Sequence, residues 1–274
     1  MKYLVLGSSG QIGAPLCDFL QNQGHQILKF DIKDDDKEDL RLYNNNLLKE
    51  YIKNCDFVFF LAFDVGGSRY LSQHQHTFDF IHNNVKLMCN TFAELQHYKK
   101  PFIFASSQMS NMSYSPYGAA KAIGEKYTST LGGLTVKFWN TYGIEYNLDK
   151  AHVITDFILK AKETGSINML SDGSEVRQFL HAQDCSNCLH ILSQKYNKLD
   201  KNKEYHITSF EWVSILKIAE IIATRFPGTK VIPSQEKDIV QQDKRNEADT
   251  HILKYWSPKI TIEKGIDMII KEMQ

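Results

Sequence analysis

The chain lacks an excess of either charge. Its 274 residues include 32 lysines and arginines and 32 aspartates and glutamates, so the formal net charge is zero when histidine is neutral. A protein without a global basic field does not attract nucleic acid or an anionic membrane by long-range electrostatics. We therefore expect neither nucleic acid nor a membrane as a partner.

Long apolar runs are also missing. No window approaches the roughly 20 consecutive apolar residues that a membrane-spanning helix needs. The apolar stretch at the N-terminus is too short for the hydrophobic region of a signal peptide and runs directly into glycine. These two absences predict a cytoplasmic protein.

Cysteine is sparse and its count is odd. Five cysteines at irregular spacings are typical of reduced thiols rather than of a disulfide framework. Cys185 and Cys188 have the spacing of half a zinc site, but no second cysteine pair completes it, so we expect no metal. The hydrophobic content of 42% is enough for an ordinary globular core.

Short apolar segments alternate with segments of helical periodicity through the first half of the chain. Strands are expected at 3–6, 26–30, 57–62, 102–105 and 134–138. Helices are expected between them, at about 11–23, 47–53, 73–98 and 116–130. This alternation predicts an α/β fold, a Rossmann-type doubly wound parallel sheet with right-handed crossovers.

The alternation weakens in the second half. We expect a dinucleotide-binding domain at 1–146 and a smaller C-terminal lobe at 147–274, mainly for substrate binding. Residues of about 182–210 are a candidate return to the first sheet. Short strands are expected at 167–170 and 175–181, with a turn between them.

A glycine-rich segment, Gly7-Ser8-Ser9-Gly10-Gln11-Ile12-Gly13, joins the first strand to the first helix. Glycines at this spacing let the backbone turn sharply and approach a pyrophosphate, which the N–H groups at the helix start can bind. A position directly after an apolar strand is the context that this function requires. The plain alternative is a tight turn without a ligand.

Asp31 ends the second strand, about 20 residues after the glycines. A carboxylate at this point can accept hydrogen bonds from the ribose hydroxyls of an adenosine, and it repels a 2′-phosphate. The sequence therefore predicts NAD(H) rather than NADP(H) as the cofactor.

The helix expected at 116–130 carries a Tyr-x-x-x-Lys pair. Ser115 suits an N-cap and Pro116 the first helical position, which places Tyr117 and Lys121 on one helical face. A nearby ammonium lowers the pKa of a phenol from its ordinary value of about 10. We therefore expect an acidic phenol at Tyr117, able to act as an acid and a base.

Two serines, Ser106 and Ser107, follow the strand at 102–105, at the sheet edge where ligands bind. A serine hydroxyl there could hydrogen-bond a reacting oxygen and orient it toward Tyr117. A Tyr-x-x-x-Lys pair alone usually marks an exposed helix face. Together with the glycine-rich segment and the serines, in this order, it predicts an oxidoreductase.

These segments resemble the extended short-chain dehydrogenase/reductase family, in its NAD-dependent nucleotide-sugar epimerase/dehydratase branch. The resemblance covers most of the chain, and it is carried in order by Gly7–Gly13, Asp31, Asp39-Leu40, Phe57–Ala62, Asn83-Asn84-Val85, Ser106-Ser107, Tyr117 with Lys121, Asn140–Gly143 and Arg177–Asp184. It implies NAD as cofactor, a nucleotide sugar as substrate, and a homodimer through the helices near 73–98 and 117–130.

The resemblance also implies a role for each matching residue. Tyr117 would be the catalytic acid and base, Lys121 would bind the nicotinamide ribose and tune Tyr117, and Ser107 would hold the sugar oxygen. The cofactor-binding positions that it implies are Gly7, Ser9, Gly10, Gln11, Ile12, Gly13, Asp31, Asp39, Leu40, Leu61, Ala62, Asn84, Tyr117 and Lys121.

On the substrate side, the resemblance implies binding by Ser106, Ser107, Asn140 and Arg177. Asn140 would contact the substrate near its diphosphate. Arg177 would pair with that diphosphate, because a guanidinium fork matches phosphate oxygens. The plain alternative for Arg177 is an exposed charge on a hairpin.

Departures from the family narrow the reaction. Asp64–Ser68 resembles the glycine pair of GDP-fucose synthases and GDP-mannose 3,5-epimerases, which hints at a GDP-sugar, but Met109 stands where they carry a catalytic cysteine. The acidic residues of sugar 4,6-dehydratases are also missing after Ser107. Only nine residues separate Ser107 from Tyr117, which predicts a more open or differently built sugar pocket.

What remains is NAD-dependent oxidoreduction at a sugar carbinol, at C4, with an epimerase as the main interpretation. A net dehydrogenase and a 4-keto-sugar reductase, on a GDP-sugar or another nucleotide sugar, stay open as alternatives. From another class, a non-catalytic NAD(H)-sensing protein would have the same fold.

Overall fold

The computed structural model of the chain describes residues 1–145, 150–237 and 246–273. The strands in these ranges are β1 (Lys2–Leu6), β2 (Gln26–Phe30), β3 (Phe57–Phe60), β4 (Phe102–Ser107), β5 (Leu134–Phe138), β6 (Asn140–Tyr142), β7 (Ser166–Asn168), β8 (Val176–His181), β9 (Tyr205–Ile207), β10 (Trp212–Ser214) and β11 (Lys230–Ile232). The helices are α1 (Gly13–Asn22), α2 (Asn46–Asn54), α3 (Ser68–His74), α4 (Phe78–Tyr98), α5 (Pro116–Thr130), α6 (Val153–Thr164), α7 (Ala182–Lys195), α8 (Ile215–Ala223) and α9 (Ile262–Glu272). Over the same ranges, no helix is both long and apolar enough to cross a membrane.

The central sheet has six strands in the order β2-β1-β3-β4-β5-β9, and every neighbouring pair is parallel. Helices α1 and α7 cover one face, whereas α2, α4 and α5 cover the other. The expected Rossmann-type parallel sheet is confirmed. After β2 the chain crosses to the other side of β1 to form β3, and this reversal of strand order opens a crevice at the carboxyl ends of these strands.

The inner strands are apolar on both faces because helices cover both sides of the sheet. All four residues of β3 are at most 1% exposed, and Leu4, Val5 and Leu6 of β1 are fully buried. Such short apolar runs between glycine-rich and polar turns are the feature that made these strands recognisable in the sequence.

The long helix expected at 73–98 is two helices in the structure. Helix α3 ends at His74 and α4 begins at Phe78. The Thr77 side chain accepts a hydrogen bond from the Phe80 N–H at 3.3 Å, which caps the second helix and starts it anew.

A smaller lobe is built from two short sheets and helices α6, α8 and α9. The strands expected on either side of one turn do not pair with each other: β7 pairs with β11, and β8 pairs with β6 and β10. The turn between them is held by α8, because the Leu216 N–H donates to the Gly173 carbonyl at 3.0 Å. The turn therefore directs the two strands into different sheets.

The chain returns to the central sheet after β8. Helix α7 packs against α1, and β9 adds to the sheet as a parallel neighbour of β5. Thus Tyr205–Ile207 forms a strand of the central sheet, as the sequence suggested. The domain boundary expected between residues 146 and 147 lies outside the described residues.

Candidate active site

A cleft of about 490 Å³ opens at the carboxyl edge of the central sheet, among the loops that follow β1, β2 and β3. This volume is in the range of small-molecule sites. Most of the positions expected to bind a cofactor line it: Gly7, Ser9, Gly10, Gln11, Ile12, Gly13, Asp31, Asp39, Leu40, Leu61 and Ala62. The tertiary fold thus brings three separate stretches of the sequence around one site.

The glycine-rich loop is packed too tightly for side chains at two positions. Gly7 has φ +88°, and a Cβ there would lie 2.7 Å from the Ala62 nitrogen. A Cβ on Gly13 would lie 2.0 Å from the Gly7 carbonyl oxygen. No side chain caps α1, which begins at Gly13. The Ala14 N–H is bonded to the Gly10 carbonyl at 3.0 Å and Pro15 has no N–H, so the Gly13 N–H is the donor that the first three helical residues offer to a ligand. This arrangement suits a phosphate.

Asp31 ties the glycine-rich loop to the end of β2. One carboxylate oxygen accepts the Ser9 N–H at 3.0 Å, and the other accepts the Lys33 N–H at 3.0 Å. The Asp31 N–H in turn donates to the Glu38 carboxylate at 2.7 Å. Each carboxylate oxygen has a second lone pair, so Asp31 can still accept a hydrogen bond from a ligand hydroxyl.

Asp39 is engaged by an arginine that the sequence did not single out. The Arg41 guanidinium donates to both Asp39 carboxylate oxygens, from Nε at 2.9 Å and from Nη2 at 2.9 Å. Burial opposes ionisation of Asp39, but the hydrogen bonds from Arg41 hold the pKa of that carboxyl below its ordinary value. Asp39 and Arg41 together form one wall of the cleft.

Asn84 supports the cleft from behind instead of lining it. Its side-chain oxygen accepts the Asp64 N–H at 2.8 Å, and its side-chain nitrogen donates to the Asp64 carbonyl at 3.1 Å. Asn84 is fully buried. The side chain therefore holds the loop that follows β3 in position.

Helix α5 and strand β4 bring Tyr117, Ser107 and Lys121 together. The Ser115 hydroxyl accepts the Gly118 N–H at 3.1 Å and Pro116 begins the helix, as expected from the sequence. The Ser107 hydroxyl accepts the Met109 N–H at 3.2 Å and lies near enough to the Tyr117 side chain to favour its ionised form. One turn further on, the Lys121 ammonium donates to the Ala105 carbonyl at 2.6 Å.

The expectation of an acidic phenol is wrong for this arrangement. Burial raises the pKa of Tyr117 to about 12, and the neighbouring Ser107 hydroxyl opposes that rise only in part. Burial also lowers the pKa of Lys121 to about 7, although Glu125 opposes that shift. The Lys121 nitrogen lies 5.9 Å from the centroid of the Tyr117 ring and is bonded to a carbonyl. Desolvation therefore outweighs the attraction between the ammonium and a phenolate.

Comparison with known proteins shows the family of the chain. The model of the NAD-dependent epimerase/dehydratase family matches residues 3–208, which contain the glycine-rich loop, Tyr117 and Lys121. The chain belongs to this family.

Several known proteins are similar to this chain. A GDP-L-fucose synthase from Sinorhizobium fredii (strain NBRC 101917 / NGR234) is 27% identical over 136 residues, which is 46% of this chain and 42% of that protein. An uncharacterized UDP-glucose epimerase, YtcB, from Bacillus subtilis (strain 168) is 26% identical over 262 residues, 81% of each protein. A UDP-glucose 4-epimerase from Thermotoga maritima, solved with UDP-glucose, has a TM-score of 0.80 at 17% identity and covers 100% of this chain and 98% of its own. That structural likeness shows a shared fold.

None of the four residues expected on the substrate side lines the cleft. Ser106 donates to the Glu125 carboxylate rather than facing Tyr117. Asn140 on β6 donates to the Gln178 carbonyl at 3.4 Å, and Arg177 on β8 donates to the Val176 carbonyl at 2.8 Å. Their roles in substrate binding stay predictions.

The short connection between Ser107 and Tyr117 is folded against the start of α5. It forms a 3-10 turn at Gln108–Asn111, and a Cβ on Gly118 would lie 2.2 Å from the Met109 carbonyl oxygen. The side chains of Met109 and Met112 are buried in one apolar cluster with Tyr117. The short loop thus packs beside the tyrosine instead of leaving its surroundings open.

Other polar residues of the cleft were missed in the sequence. Lys150 pairs with Asp64 at 2.6 Å, and the His152 Nδ1 lies 2.6 Å from a Glu145 carboxylate oxygen. All four line the cleft. Asp64 and Lys150 are 86 positions apart, so no spacing in the sequence could reveal their contact.

Proposed function

We propose that the protein catalyses NAD-dependent oxidation and reduction at a carbinol of a nucleotide sugar, at C4, and acts as an epimerase. The observation that carries this proposal is the placement of the Tyr117 and Ser107 side chains near each other, with Lys121 one helical turn further on, beside a cleft with a glycine-rich loop. A hydroxyl pair of this kind can hold a reacting oxygen and exchange its proton.

The cleft suits a dinucleotide. Gly7, Gly10 and Gly13 line the cleft without side chains, so a pyrophosphate could approach their backbone closely, and the start of α1 has no capping side chain. We propose that Asp31 binds the adenosine ribose and selects NAD(H) over NADP(H). When bound, NAD supplies the hydride acceptor and donor; the protein supplies position and proton transfer.

In the proposed reaction, Ser107 holds the carbinol oxygen and Tyr117 exchanges its proton. Because burial raises the pKa of Tyr117 to about 12, the neutral phenol is the resting form. Oxidation of an alcohol needs the phenolate, which a protonated Lys121 nearby favours. Reduction of a ketone needs only the phenol as a proton donor.

A second candidate is a 4-keto-sugar reductase, which would use the neutral phenol of Tyr117 only as a proton donor. A phenol with a pKa of about 12 can donate its proton to a developing alkoxide without first being deprotonated. A reductase and an epimerase would use the same residues. They differ in whether the oxidised sugar is re-reduced on the same enzyme.

The substrate class is proposed from relatives that bear the names of GDP-L-fucose synthase and UDP-glucose epimerase. We propose that Asn140 and Arg177 contact the diphosphate of such a substrate. They lie on β6 and β8, two strands that pair with each other in the smaller lobe. A guanidinium in this position would match phosphate oxygens.

We also propose a homodimer through α4 and α5. These adjacent helices expose a group of large apolar side chains, which is typical of a protein interface. The group consists of Phe78, Ile81, Val85, Ile123 and Tyr127, with exposures of 76%, 41%, 38%, 50% and 40%.

The reaction is tested by incubating the protein and NAD+ or NADH with GDP-, UDP-, dTDP- and CDP-sugars. An unchanged mass with new stereochemistry at C4, seen by NMR, indicates an epimerase. A gain of two hydrogens by a 4-keto-sugar indicates a reductase, and a loss of two indicates a net dehydrogenase.

The role of Tyr117 is tested by Tyr117→Phe, with Tyr127→Phe on the same helix as a matched control. We expect turnover to fall by about 100-fold or more in Tyr117→Phe, because general acid–base catalysis is lost, while NAD+ binding is retained. Undiminished turnover would refute the assignment. Tight NAD+ binding without turnover of any sugar in the wild type would favour the sensing protein instead.

A further inference from the structure

Phe63 lies between the cleft and the Tyr117–Lys121 pair. Its side chain lines the cleft, and the centroid of its ring is 3.7 Å from the Lys121 nitrogen. The same ring meets the Tyr117 ring edge-to-face, with the centroids 5.6 Å apart. Tyr117 and Lys121 are 9% and 3% exposed, and neither lines the cleft. The Phe63 ring therefore stands between a group in the cleft and these two side chains.

The ring is held in this covering position by its contacts. The Lys121 ammonium is bonded to the Ala105 carbonyl at 2.6 Å and is largely out of water, where an aromatic face attracts a cation most strongly. Phe63 also packs against the apolar cluster that contains Tyr117. A cation–π contact to a desolvated ammonium favours the covering position by roughly tenfold over an uncovered one.

The backbone that carries Phe63 is fixed, so the side chain is the movable part. Asn84 binds both the N–H and the carbonyl of Asp64, the next residue along the chain, at 2.8 and 3.1 Å. The Asp64 carboxylate is paired with Lys150 at 2.6 Å. Rotation about the side-chain bonds of Phe63 uncovers Lys121 without moving this loop.

We infer that Phe63 is a gate residue that controls access of the nicotinamide half of a dinucleotide to Tyr117 and Lys121, whereas the adenosine half binds in the cleft without displacing it. The inference rests on the proposed function, since it presumes that the cleft binds NAD(H). Only the molecules in which the ring is displaced can bind the complete dinucleotide. The observed affinity is therefore the intrinsic affinity multiplied by the fraction of uncovered molecules. A ligand that ends at the pyrophosphate is unaffected.

The test compares three ligands of increasing length, ADP, ADP-ribose and NAD+, by isothermal titration calorimetry. They are titrated into the wild type, Phe63→Ala and Val65→Ala, the last being a control that trims a different apolar side chain of the same loop. We expect Phe63→Ala to bind ADP-ribose and NAD+ about tenfold more tightly than the wild type, with ADP unchanged. Val65→Ala should leave the ratios between the affinities for ADP, ADP-ribose and NAD+ as they are in the wild type.

The ADP titration and one further variant keep the test decisive. Binding of ADP reports that the Phe63→Ala cleft is folded, and Phe63→Leu, which keeps apolar volume but has no aromatic face, should give an intermediate gain. An equal change for all three ligands, or weaker NAD+ binding in Phe63→Ala, would overturn the gate. If the wild type binds none of the three ligands, both the proposed function and the gate are overturned. If Phe63→Ala binds NAD+ as tightly as the wild type does, only the gate is overturned.

Discussion

Replacing Lys121 by methionine should stabilise the protein at neutral and acidic pH. Lys121 is 3% exposed, and its ammonium contacts the Ala105 carbonyl and the Phe63 ring. Burial lowers its pKa from 10.5 to about 7, an effect that Glu125 opposes. The folded protein thus holds a cation in a place that disfavours charge. Methionine keeps a long apolar side chain without that charge.

The size of the effect follows from the pKa difference. One pKa unit corresponds to about 1.4 kcal/mol, so a fall from 10.5 to about 7 corresponds to at most about 5 kcal/mol of lost stability. Because the pKa is lower in the folded state, this full cost applies below about pH 7, where both states carry the proton. Above that pH the folded state has released its proton, and the cost declines until it disappears near 10.5. About 2 kcal/mol remains at about pH 9.

The assay is urea unfolding of the wild type and Lys121→Met at about pH 6 and about pH 9. Lys126→Met, which removes an exposed lysine from the same helix, is the control. The stability difference between Lys121→Met and the wild type should shrink by about 3 kcal/mol from the lower to the higher pH. A constant packing change cancels in this comparison. A difference that is independent of pH would refute the reasoning, because it would mean that the buried amine does not titrate in this interval.

Three further outcomes are expected. Gly13→Ala should lower the free energy of unfolding by roughly 1–3 kcal/mol and abolish NAD+ binding, because its Cβ would lie 2.0 Å from the Gly7 carbonyl oxygen. Gly10→Ala is the control, since its Cβ would lie 3.3 Å from the same oxygen, and it should cause smaller losses in thermal unfolding and in NAD+ titration. Asp31→Asn should raise the affinity for NADP+ relative to NAD+ by about tenfold or more, and equal shifts for both cofactors would remove Asp31 as the selecting residue. Ile123→Lys, on the exposed face of α5, should give a monomer in analytical ultracentrifugation at a concentration where the wild type is a dimer; a wild-type monomer would remove the proposed interface.

Much of the fold and part of the site followed from local features of the sequence. The strand β3 was recognisable because all of its residues are apolar, and a strand covered on both faces needs such a run. The start of helix α5 was marked by Ser115 and Pro116, because the effect of these residues on a helix start depends on adjacent backbone groups. The glycine-rich loop was also identifiable from local sequence, because a positive φ, as at Gly7, is a property of a single residue.

The sequence by itself determined which residues form the central strands, where α5 begins, and many of the positions around the cleft, although it did not reveal Arg41 or Lys150 there. Only the tertiary structure decided the electrostatic state of Tyr117 and Lys121, because desolvation depends on every atom packed around a group. It also decided that Phe63 covers Lys121 and that Asp64 meets Lys150, contacts between residues far apart in the chain. Spacing along the chain describes neighbours within one element, whereas burial and long-range contacts exist only after the elements have packed together.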